Sequence, residues 1–107
     1  MPAYISISDT RKDFVRPITI GVVSRLEAIK GMDLVVPAFA KVHEKYSDSK
    51  LLVVGDGSQR ALMEKQVKEA DLNKVVEFAG RQPQDSLQEY YDRIDILLMP
   101  SRSEGFG

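Results

Sequence analysis

One alternation constrains this chain more than anything else in it: a short apolar run, then a segment whose apolar residues recur at helical spacing, three times over before a fourth run. The runs are "ITIGVV" (18–23), "KLLVV" (50–54), the stretch around Val75 to Phe78, and "DILLM" (95–99). Each is short, rich in Val, Ile or Leu, and bounded by polar or turn residues, the form of a strand covered on both faces. Between them, Leu34, Val35, Ala38, Phe39 and Val42 share one face of a 3.6-residue period, and so do Leu62, Met63, Val67 and Ala70. Ser86 and Glu89 form S-x-x-E, which predicts a capping box at the start of a short helix, "LQEYYDR". Pro37 lies inside the first helical pattern and is expected to kink it unless it falls within the first turn. Strands alternating with helices through short links imply an α/β fold: a partial Rossmann-like domain with a parallel sheet of about four strands and helices on both faces.

The 107 residues suffice for one domain and one core. "MPAYISISDTRKDFVRP" (1–17) reads as a linker or lead-in, and 18–107 as the domain. Basic and acidic side chains number 15 and 16, for a net charge of -1, so nucleic acid is not an expected partner and any basic site must be local. The absence of cysteine excludes disulfides and fits a reducing, cytoplasmic setting. No apolar run has the length of a membrane span.

Topology converts this pattern into a site. If the runs take the order 3-2-1-4, the first and fourth are neighbours whose connections leave toward opposite faces, and ligands of open α/β sheets bind at that switch point. "SRLEAIKG" leaves the first run and "PSRSEGFG" leaves the fourth. Arg25 offers a planar fork of donors and Lys30 a compact positive charge, a pair suited to two phosphate groups, with the backbone at Gly31 opening a helix beside them. Gly105 and Gly107 permit close backbone approach, and Glu104 is an acceptor suited to sugar hydroxyls. A diphosphate carrying a sugar would use all of them. Gly55 in "GDG" reads first as part of a strand-to-helix turn and second as a nucleotide contact.

Together "SRLEAIKG", "VGDG", "VEFAG" and "PSRSEGFG", in this order and spacing, resemble the nucleotide-sugar-binding half of the retaining GT-B glycosyltransferases of family 4, or group 1. The resemblance covers about 17–107. It implies a parent enzyme that transfers a sugar from a UDP- or GDP-type donor, as in polysaccharide biosynthesis, cytoplasmic and peripheral to the membrane. It further implies that Arg25, Lys30 and Gly31 hold the donor diphosphate and that Glu104 is the catalytic carboxylate at the donor sugar. The amides of Gly105, Phe106 and Gly107 would then line the sugar and phosphate pocket, and Arg81 and Gln82 would meet the base. Family members generally work without a metal or cofactor, basic groups and amides neutralising the diphosphate.

The departures are specific. Ser24 stands where many members have glycine, and the second glutamate of the family's pair would fall beyond Gly107. The expectation is therefore a donor-binding fragment, inactive alone, whose acceptor-binding N-terminal domain is missing and whose fourth strand leaves an uncovered edge inviting self-association. Two alternatives stay open. "VVGDGSQR" approximates the G-x-G-x-x-G fingerprint of an NAD-type oxidoreductase, with Glu77 about 20 residues on, but Arg60 takes the third glycine's place. "DILLMPS" superficially suits a non-enzymatic α/β scaffold module of receiver shape, but Met99 stands where a receiver needs aspartate.

Overall fold

The computed structural model describes residues 3–9, 17–27 and 31–102, with side chains over 17–27 and 31–99. The four expected strands are present: β2 (Thr19–Val23), β3 (Lys50–Val54), β4 (Val76–Gly80) and β5 (Ile96–Arg102). They lie in the order β5-β2-β3-β4, all parallel, which is the predicted 3-2-1-4 arrangement. Three helices connect them: α1 (Val35–Lys45), entered through a 3-10 turn at Met32–Leu34, then α2 (Arg60–Glu69) and α3 (Leu87–Arg93).

Strand β3 shows why the sheet is covered twice. Leu51, Leu52, Val53 and Val54 are all essentially inaccessible to solvent, and successive side chains of a strand point to opposite faces. Leu51 and Val53 pack with Val35, Val36 and Phe39 of α1 and Met63 and Val67 of α2. Leu52 and Val54 pack on the other face with Ile94 and with Leu87 and Tyr90 of α3. On α2 the buried pair is Met63 and Val67, spaced i, i+4, while Leu62 and Ala70, assigned above to the same face, are exposed. One residue is a rotation of about 100°, enough to carry Leu62 off the core stripe.

Three further expectations are corrected. Ala3–Asp9, assigned above to the lead-in, is a strand, β1, paired antiparallel with β5 from Ala3 opposite Arg102 to Asp9 opposite Ile96. The outer side of β5, expected to be uncovered, is therefore occupied along its length. Ser86 does not cap α3: it has helical dihedrals and no side-chain capping bond, because winding already starts in a 3-10 turn at Gln84–Ser86 after extended Pro83. A capping box requires a non-helical residue at that point, and Ser86 is past it.

Pro37 falls in the first turn of α1. It has no N–H for the Asp33 carbonyl four residues back, and Gln66 Nε2 of α2 donates to that carbonyl at 3.3 Å instead. At the amino end of the sheet, Asp95 is buried and clasps β2: its Oδ2 accepts the Thr19 N–H at 2.9 Å, and its own N–H donates to the Thr19 carbonyl at 2.8 Å.

Candidate functional site

At the opposite, carboxyl end of the strands lies a cleft of about 540 Å3 lined by Val23, Ser24, Arg25, Val54, Gly55 and Asp56, together with Arg81, Gln82 and Leu87. Its floor is the apolar ends of β2 and β3. Its walls are the loops leaving β2, β3 and β4, and backbone bonds continue past the strand ends to hold them. Ser24 N–H donates to the Val54 carbonyl at 3.0 Å, Leu26 N–H to Asp56 at 3.1 Å, and Gly55 N–H to Gly80 at 2.8 Å. Gly55 has φ of 135°, and a Cβ there would lie 1.8 Å from the Ser24 carbonyl oxygen. Only glycine lets the two loops approach this closely.

The charges divide sharply. Arg60 is engaged by Asp56 at 3.3 Å and Glu64 at 3.1 Å and lies 5.7 Å from the Phe78 ring centre. Arg93 is engaged by Glu77 at 2.7 Å. The hydrogen bond to Glu64 raises the pKa of Arg60 above its usual value against a smaller opposing effect of burial, and the bond to Glu77 does the same for Arg93. Arg25 and Arg81 are both exposed and have no carboxylate partner among the described residues. Both line the cleft. Among the described residues, the cleft's two guanidinium groups are thus the arginines that no carboxylate engages.

Of the residues singled out from the sequence, the structure gathers Arg25, Gly55, Arg81 and Gln82 in this cleft. Gln82 is oriented by its own amide, Nε2 donating to the Ala79 carbonyl at 2.7 Å. Gly31 is not among the cleft residues; it is buried, with φ of 74°, and opens the 3-10 turn before α1. Lys30, Glu104, Gly105, Phe106 and Gly107 lie outside the described residues. Strand β5 runs parallel beside β2, so its carboxyl end is at the same end of the sheet as Arg25. Arg60, the residue that breaks the dinucleotide fingerprint, sits over β4 through its contact with Phe78. The sequence reading missed Asp56 in the lining, and also the contact of Glu27 with Ser58, whose partners are 31 residues apart; no local pattern signals either.

A parallel α/β sheet with exposed arginines after β2 and β4 defines the class: a doubly wound domain whose cleft lies over the carboxyl ends of β2, β3 and β4, beside the switch point between β2 and β5. Comparison with known proteins narrows it. The family model described as glycosyl transferases group 1 matches residues 7–107. The chain belongs to this family. It is similar to the 2-deoxystreptamine glucosyltransferase of Streptomyces kanamyceticus, 42% identical over 88 residues, covering 82% of this chain and 23% of that protein. The O-antigen biosynthesis glycosyltransferase WclY of Escherichia coli is 36% identical over 100 residues, covering 91% of this chain and 27% of that one. The chain thus spans about a quarter of the length of these curated relatives. Among solved structures, the C-terminal domain of the group 1 glycosyl transferase LpcC from Francisella tularensis superposes with a TM-score of 0.72 at 29% identity, covering 84% of this chain and 49% of that one. The S. aureus TarM G117R mutant, solved in complex with UDP among other ligands, superposes with a TM-score of 0.66 at 19% identity, a likeness of fold.

Proposed function

We propose that the cleft binds the diphosphate of a nucleotide-diphosphate sugar, and that the chain is the donor-binding part of a retaining family 4 glycosyltransferase. The observation that carries this reading is the division of the arginines: Arg60 and Arg93 are held by carboxylates, while Arg25 and Arg81 line the cleft with no carboxylate partner among the described residues. A guanidinium fork at the end of a parallel strand suits phosphate oxygens bidentately. In this reading Arg25 and Lys30 grip the diphosphate, with the backbone at Gly31 setting the direction of the following turn. Glu104 takes hydroxyls of the donor sugar, and the amides of Gly105, Phe106 and Gly107 line its pocket. Arg81, Gln82 and Gly55 meet the base of a UDP- or GDP-type donor. UDP in the TarM structure supports a uridine donor as the first ligand to try. The O-antigen role of WclY supports polysaccharide synthesis by a cytoplasmic enzyme at the membrane surface, with a separate domain supplying the acceptor.

Calorimetric titration of the chain with UDP and with GDP tests this. One of them is expected to bind, and Arg25→Ala to weaken it by about 2 kcal/mol, the scale of a hydrogen bond to a charged group. Absence of binding, or equal binding by Arg25→Ala, overturns the reading.

A further inference from the structure

The "GDG" turn after β3 looks like a phosphate cradle, yet its contacts run to the neighbouring loop. Leu26, the residue after Arg25, is fully buried, and both its backbone groups are bonded to the β3–α2 connection: its N–H to the Asp56 carbonyl at 3.1 Å, its carbonyl to the Gln59 N–H at 2.7 Å. Ser58 Oγ donates to Glu27 Oε1 at 2.5 Å. A Cβ on Gly57 would lie 2.6 Å from the Leu26 carbonyl oxygen and 2.8 Å from Glu27 Oε2, so the bare glycine is what lets this connection close over the loop. Asp56 Oδ1 accepts the Gly57 N–H at 2.8 Å, and Asp56 Oδ2 pairs with Arg60, which α2 holds through Glu64. A continuous chain of contacts therefore runs from α2 through "DGS" to the residues immediately after Arg25.

We infer that Gly57, Ser58 and Glu27 are positioning residues for the diphosphate: the connection after β3 acts as a bracket that fixes Arg25, with the Ser58–Glu27 hydrogen bond as its side-chain latch. This rests on the reading of Arg25 as a diphosphate ligand and adds which residues set its aim. The latch leaves the core untouched, because Ser58 is exposed and Glu27 only half-buried. Its loss loosens Arg25 without unfolding the domain. Binding energy carried by the phosphates then falls, while that carried by the nucleoside does not.

The test compares UDP with uridine, or GDP with guanosine if that is the ligand bound. Ser58→Ala is expected to lower diphosphate affinity roughly three- to tenfold, the range of one hydrogen bond, with nucleoside affinity and melting midpoint unchanged. Ser58→Thr, which keeps the hydroxyl, restores affinity. In an Arg25→Ala background Ser58→Ala has no further effect, since there is no guanidinium left to aim. Equal loss for nucleoside and diphosphate, no loss, or the same loss in the Arg25→Ala background overturns the bracket while leaving Arg25 as a ligand. A wild-type chain that binds neither diphosphate, or an Arg25→Ala variant that binds as well as wild type, overturns the diphosphate reading and the bracket with it.

Discussion

The two ends of strand β2 treat polar groups in opposite ways. At the amino end, the Asp95 carboxylate is buried and its Oδ2 accepts the Thr19 N–H, while the backbone of the same two residues is bonded in return. At the carboxyl end the loops are tied down, by backbone bonds of Ser24, Leu26 and Gly55 and by the Ser58–Glu27 hydrogen bond, while the Arg25 and Arg81 side chains line the cleft with no carboxylate partner among the described residues. A buried polar group must be satisfied within the protein, so the amino end is a fastening. A fixed frame whose charges have no carboxylate partner among the described residues suits the proposed diphosphate. With the proposed function, stability and binding fall to different ends of one strand.

The comparison breaks first at Gly55. Gly55→Ala forces a Cβ into the Ser24 carbonyl and strains a positive φ, and is expected to cost about 4 kcal/mol in urea unfolding, the sum of a strained dihedral and a backbone clash. A smaller cost would mean that the frame at the binding end is softer than its geometry indicates. Next comes Asp95→Ala, expected to lose about 1–2 kcal/mol by removing a buried carboxylate and leaving the part-buried Thr19 N–H without it, while a folded sample still binds the diphosphate with wild-type affinity. Reduced affinity at the far end would dissolve the division between the ends. The smallest effect sharpens it: Arg93→Ala removes an exposed ion pair and should shift stability by about 0.5 kcal/mol without touching binding. Arg81→Ala should do the reverse, reducing diphosphate affinity about tenfold with an unchanged unfolding midpoint.

Much of this was legible because its causes are local. β-branched runs and helical spacing are properties of neighbouring residues, and they set the parallel order β5-β2-β3-β4 and the convergence of Arg25, Gly55, Arg81 and Gln82. β1 was missed although "YISIS" alternates apolar and polar residues; the alternation spans only a few residues, and its partner, β5, lies at the other end of the sequence. The S-x-x-E pattern misled because a preceding 3-10 turn moved the helix start. The latch between Glu27 and Ser58 exists only once β2 and β3 are adjacent in register, so no reading of either loop alone reveals it.

The proline in α1 has one more consequence. Ordinarily, replacing a helical proline restores a missing backbone bond and firms the helix. Here the acceptor has been recruited by a residue of another helix, Gln66, so an amide introduced at position 37 would compete with an existing crosslink. The irregularity in one helix has become an attachment point for its neighbour.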